Sequence, residues 1–120
     1  MSETDSEAAL KESFAVEARR RCDVISAGLE TGTTDFETLR LEAHALKGTS
    51  AVVGLQRLAE LAGLMESDLA EAAKAKDLRP GRAHQIADAA KAFAEGAAAA
   101  AAGEEEPPDV GRSLAQLFSV

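Results

Sequence analysis

The sequence predicts an all-α fold, built as an antiparallel up-down four-helix bundle with a short C-terminal amphipathic extension. Three observations lead there. Of the 120 residues, 27 are alanine, the strongest helix former. The β-favouring residues are few, with 6 Val, 2 Ile, no Tyr and no Trp. Apolar residues recur at spacings of three and four along four successive segments. The length suits one domain. The large apolar side chains number only 13 Leu, 6 Val, 4 Phe, 2 Ile, 2 Met and 1 Cys. A core drawn from so few must be thin, and alanines on the stripes let helices approach closely.

The first helical segment runs from about Asp5 to Leu29, with Leu10, Phe14, Ala18, Cys22, Ile25 and Leu29 on one stripe. It ends at the turn-like Thr31-Gly32-Thr33-Thr34. The second opens there. Thr34 and Glu37 have the spacing of a capping box, and Asp35 suits the positive end of the helix dipole. Its stripe is Phe36, Leu39, Ala43, Leu46, Ser50 and Val53, and Gly54 breaks it. The third carries Leu55, Leu58, Ala62, Met65, Leu69, Ala72 and Lys76, with Leu61 and Leu64 widening the apolar face. A loop from Asp77 to Gly81 contains Pro80. The fourth, from about Gly81 to Ala102, places Ile86, Ala90, Phe93 and Ala97 on one face. Short connections favour antiparallel neighbours.

Residues 1–103 therefore read as the bundle, and residues 104–120 as an acidic, proline-containing linker and a short amphipathic tail. In the tail, Val110, Leu114, Leu117 and Phe118 follow i, i+4, i+7, i+8. Such a helix packs back on the bundle or serves as a partner-binding peptide.

Charge and composition exclude several classes. A net charge of −8 offers no electrostatic footprint for nucleic acid or anionic lipid. The longest apolar run, ending at Ala97–Ala102, is far short of the ~20 residues that span a bilayer. The start, Ser2-Glu3-Thr4-Asp5, is too acidic and polar for a signal peptide. The single cysteine, Cys22, can form no internal disulfide, so a cytoplasmic location is expected. No nucleotide-binding glycine loop, metal-spaced carboxylate cluster or Ser-His-Asp or Cys-His constellation is legible.

The second helix carries the chemistry. At 100° per residue, His44 falls about 130° from the centre of the core stripe, so it should not be a core histidine. Lys47 lies on the same flank one turn on, and Gly48 sits one turn beneath His44 on the outer face. Leu41, Ala45, Gly48, Ala51 and Val52 surround the imidazole. Leaving Leu41 and Val52 outside, in a chain short of large apolar residues, points to a partner surface. A glycine in mid-helix costs roughly 1 kcal/mol against alanine, and the missing side chain leaves room for a partner to approach. An exposed imidazole is largely neutral and nucleophilic at pH 7. A phosphoryl group on it would bring up to about two negative charges, which a lysine at i+3 offsets.

His44-Ala45-Leu46-Lys47-Gly48-Thr49-Ser50, with Gly54 and Leu58 beyond, resembles the signature of histidine phosphotransfer domains. That pattern is His, any residue, an aliphatic, Lys, Gly, any residue, Ser or Ala, and a later Gly that closes the helix. Leu10, Phe14 and Glu17 look like the opening helix of that family, and Leu64-Met65-Glu66 is similar to the Leu-Glu of its third helix. The resemblance spans about residues 8 to 100 and leaves out the tail.

It implies that His44 accepts and donates a phosphoryl group, in exchange with an aspartate on a response-regulator receiver domain. Lys47 would sit by the phosphate and Gly48 would permit close docking. It further implies a sensor histidine kinase upstream, a Mg²⁺ site on the receiver, and no cofactor or kinase activity in this chain. The expected protein is a monomeric, cytoplasmic, bacterial phosphocarrier. Two alternatives are the phosphoacceptor domain of a chemotaxis-type histidine kinase and a helical binding module that carries no phosphate. Nε2 is the expected nucleophile, because it points away from the helix.

The remaining chemistry-bearing residues read as structural. His84 is a surface or cap residue, Cys22 a small buried side chain, and Arg19-Arg20-Arg21 a solvated basic face. Ser50, on the core stripe, should bond a helix carbonyl.

Overall fold

The described residues form five α-helices: α1 (Glu3–Glu30), α2 (Phe36–Val52), α3 (Gln56–Ala75), α4 (Arg82–Ala101) and α5 (Pro108–Phe118). The computed structural model describes residues 3–119; Met1, Ser2 and Val120 lie outside it, including the start of the acidic N-terminal stretch. Among the described residues there is no strand. None of the helices is long and apolar enough to cross a membrane.

Local chemistry sets the helix ends. Asp35, not Thr34, caps α2: its Oδ1 accepts from the Thr38 backbone N–H at 3.2 Å, and its Oδ2 from the Thr38 hydroxyl at 2.6 Å. Those bonds hold the Asp35 carboxyl below its ordinary range. Glu37 does not reach back to close the expected capping box; it pairs with Arg40. A carboxylate one residue nearer the helix is the better acceptor, so the cap shifts by one. At the far end, Gly54 adopts φ +79°, with Leu55 N–H bonded to Ser50 O and Gly54 N–H to Ala51 O. This left-handed cap satisfies two orphan carbonyls and turns the chain into α3.

The core is the predicted stripes brought together. Phe14, Ala18, Cys22, Ile25, Phe36, Leu39, Ala43, Leu46, Leu58, Leu61, Ala62, Met65, Leu69, Ile86, Ala90, Phe93 and Ala97 are all buried in one cluster. Leu10 is the exception on the first stripe and is exposed. The neighbouring Lys11 already lines a depression with Gly54 and Gly103, the turns closing that end of the bundle. The first turns of α1 therefore extend past their packing partners. Phe14 and Phe93 meet edge-on with ring centroids 6.0 Å apart. The most extensive helix contacts are α2 with α3 and α1 with α4. Glu42 on α2 takes Arg21 of α1 at 2.7 Å, while Leu39 lies against Gly28. These two pairs run in opposite chain directions. Arg21 is thus tied between helices rather than simply solvated.

The tail is helical and packs back. Of the helix pairs in contact, α3 and α4 touch least, and α5 lies in their seam. Val110, Ser113 and Leu117 are buried there, whereas Phe118 is 79 % exposed. A Cβ on Gly96 would come within 2.9 Å of Leu58 Cδ2 and 3.0 Å of Val110 Cγ2, so the glycine is what admits α5. Arg82 is buried and donates to the carbonyl of Gln116 in the last turn of α5 (3.3 Å) and to that of Ser119 just past the helix end (3.2 Å). Those carbonyls have no partner within the helix. Arg82 Nε lies 3.3 Å from Asp68 Oδ2. Burial still pushes the Asp68 carboxyl above its ordinary range, against the pull of Arg82. The segment before α5 is largely exposed, as expected, but Glu106 is held by Arg57 at 2.8 Å.

Three outcomes follow from this packing. Leu117→Ala should lower unfolding stability by about 2–4 kcal/mol in urea titration, whereas Phe118→Ala should change it by less than about 0.5 kcal/mol. Equal effects would mean that α5 does not belong to the core. Burial pushes the Cys22 thiol up to about 12. At pH 8 only about one native thiol in ten thousand is then ionised, so iodoacetamide should label Cys22 chiefly through the unfolded fraction, and faster as added urea enlarges that fraction. The thiol ionises near 9 when unfolded. Stability should therefore fall as pH climbs from about 9 toward 12, because only the unfolded chain releases the proton there.

Candidate functional site

The site is built on the outer face of α2 where that helix meets α3. The buried face of α2 (Phe36, Leu39, Ala43, Leu46 and Ser50) fixes its rotation. Ser50 hydroxyl donates to Leu46 O at 2.7 Å and stays inside the helix. With that face buried, His44 must face outward, and its side chain is 64 % exposed.

The imidazole is not free to rotate. Its Nδ1–H donates to Oε2 of Glu66, a largely buried carboxylate on α3, at 2.7 Å. A carboxylate only accepts, so the neutral ring carries its proton on Nδ1 and its lone pair on Nε2. Two further cations share Glu66. Lys47 Nζ lies 3.5 Å from Oε1, and Arg40 Nη1 lies 3.4 Å from Oε2. Arg40 is also gripped by Glu37, through Nε at 2.8 Å and Nη2 at 2.6 Å. That grip holds the Glu37 carboxyl below its ordinary range and the Arg40 guanidinium above its own. The stem of Lys47 lies over Gly63 of α3, where a Cβ would make only ordinary contact.

Around this cluster the surface is apolar or small. Leu41 is 52 % exposed and Val52 84 %. Gly48 and Ala51 are exposed, and Ala45 is half-buried. A Cβ added at Gly48 would meet nothing within 4 Å. The gap beside His44 is therefore open to an incoming molecule and is not filled by the protein itself.

His44, Lys47 and Gly48 thus share one face, as the spacing predicts. Arg40 and Glu66 belong to the same cluster and are absent from the sequence-derived set. Arg40 stands one turn before His44, and that spacing was there to be used. Glu66 is the lone carboxylate in a flank of small α3 residues, Ala59, Gly63 and Ala70, at spacings of three and four. Only knowledge of which α3 flank faces α2 turns that pattern into a contact.

The other candidates lie elsewhere. His84 is exposed and sits 3.5 Å from Asp88. A groove of about 670 Å³ between α1 and α4, lined by Cys22, Ser26, His84 and Lys91 among others, includes none of His44, Lys47 or Glu66. Among the described residues, no group of three or more His, Cys, Asp or Glu is arranged to hold a metal ion.

A family model described as the Hpt domain matches residues 9–96. The chain belongs to the histidine phosphotransfer (Hpt) domain family. Hpt domains are phosphocarriers of phosphorelays rather than kinases. The matched range ends within α4, so α5 lies beyond it. No curated protein and no solved structure matched the chain.

The open space at Gly48 gives this Hpt chain a clean test of its own packing. Gly48→Ala should fold normally and gain roughly 1 kcal/mol of stability from helix propensity, read as a raised Tm. A lowered Tm would mean that the glycine serves the fold and not the surface.

Proposed function

We propose that the chain relays phosphoryl groups through Nε2 of His44, in exchange with the aspartate of a response-regulator receiver domain. The observation that carries this is the split environment of one imidazole. Nδ1 is bonded to Glu66, and the ring is otherwise exposed on a face with Lys47 beside it. In the forward step the Nε2 lone pair attacks the phosphorus of an aspartyl phosphate. The P–O bond breaks and the aspartate carboxylate leaves with its electrons. The ring becomes cationic, and the Nδ1–H bond to Glu66 gains strength as that charge develops. Donation to a receiver aspartate is the reverse. Lys47 is loosely paired and exposed, so it can turn from Glu66 to the phosphate.

Leu41, Ala45, Gly48, Ala51 and Val52 form the docking face in this reading. The receiver supplies the Mg²⁺ site, and a sensor histidine kinase feeds the relay. We assign the work to a monomeric cytoplasmic protein, with an antiparallel four-helix bundle over residues 1–103 as the transfer unit and residues 104–120 as its lateral support. The phosphoacceptor domain of a chemotaxis-type kinase would use the same atoms, with a separate ATP-binding domain as donor.

Incubation with phosphorylated receivers should place acid-labile, base-stable phosphate on the wild-type chain and none on His44→Gln. Absence of label from the wild type with several receivers would refute the relay. Label persisting in His44→Gln would refute the site. Glu66→Ala should slow transfer about fivefold, the rate equivalent of a net hydrogen bond of about 1 kcal/mol. Gly48→Ala should slow it through KM, by blocking approach, while the fold is kept.

A further inference from the structure

Glu66 is a single carboxylate shared by three bases on α2, and the sharing is unequal. His44 Nδ1 and Arg40 Nη1 both address Oε2, at 2.7 and 3.4 Å, while Lys47 has Oε1 to itself at 3.5 Å. Arg40 differs from Lys47 in being anchored. Glu37 holds it through two hydrogen bonds, and it is only about a quarter exposed, whereas Lys47 is more than half exposed. Arg40 cannot follow a phosphate without giving up Glu37, but Lys47 can. The protein therefore gives Glu66 a resident counter-ion and a movable one.

Resting on the relay reading of His44, we propose that Arg40 is a positioning residue that sets the charge and aim of Glu66. The oxygen that orients His44 is fixed by Arg40, and part of its negative charge is already answered there. The carboxylate then accepts the Nδ1–H and aims the ring with part of its own charge already answered. When Lys47 turns to a phosphoryl group, Glu66 keeps a partner.

The charged groups bearing on His44 are few. From α3 there is Glu66; from α2 itself there are Arg40, Lys47 and, through Arg40, Glu37. The α1 cation that reaches α2, Arg21, lies across that helix from His44 and is engaged by Glu42 and Glu17. Arg40 lies one helical turn from His44, about 6 Å between side-chain origins. In a largely aqueous setting one unit charge at that range moves a titration by about half a pH unit.

The test follows the His44 ring by NMR titration of the full chain, a readout that needs no receiver. Arg40→Gln should raise the titration midpoint of His44 by about one unit, the direct half unit and a similar part through the uncompensated Glu66, and Arg40→Lys should restore most of it. In a Glu66→Gln background only the direct half unit should remain, because the shared carboxylate is gone. Transfer by Arg40→Gln should show a pH profile displaced upward by the same amount as its midpoint. An unchanged midpoint in Arg40→Gln would overturn the proposal, as would an equal shift with and without Glu66. A wild-type chain that accepts no phosphate would refute the relay and leave the NMR result standing.

Discussion

The hydrogen bond between His44 and Glu66 joins the two helices of the site, and everything specific about the surface depends on it. It needs α2 and α3 close together, which Gly63 of α3 permits where the stem of Lys47 lies over it. It needs α2 rotated so that one face is wholly buried, which Phe36, Leu39 and Leu46 enforce. It needs both helices in register, which the left-handed turn at Gly54 and its two carbonyl-satisfying hydrogen bonds set. The core of this protein is thin, yet it fixes the position of one exposed imidazole.

Electrostatics at the site run against the charge of the whole. The chain carries a net charge of −8, but the face around His44 gathers Arg40 and Lys47 about a single carboxylate. In the relay we propose, a phosphoryl group arriving there would meet locally available positive charge in an otherwise acidic molecule. Glu37 takes one guanidinium out of circulation and leaves the lysine to respond. The apolar rim of Leu41 and Val52 would lower the cost of excluding water if a partner covered the ring.

Much of this was legible in the sequence, for definable reasons. Periodicity located the helices to within two residues, since long amphipathic stripes constrain both length and face. The outward placement of His44 followed from the same angles. The cap of α2 was misplaced by one residue because Thr34 and Asp35 are both good N-caps, and only backbone geometry chooses between them. Leu10 was assigned to the core because a stripe shows which face is apolar and not where the partner helix ends. Arg40 and Glu66 were passed over for a different reason. An ion pair between helices depends on which flanks meet, and no periodicity within one helix contains that. The docking of α5 was open for the same cause, and it was decided by Gly96 and Arg82, whose relevance appears only when α3, α4 and α5 are seen together.

The central claim is that Nε2 of one particular histidine carries the phosphate while Nδ1 stays bonded to Glu66. The most direct measurement is ¹⁵N NMR of the chain labelled at histidine nitrogen, before and after exposure to a phosphorylated receiver. The account predicts that one ring changes, that it is His44, that its Nε2 resonance takes the phosphorus coupling, and that Nδ1 remains protonated. Phosphorus coupling at Nδ1, or on His84, would contradict it.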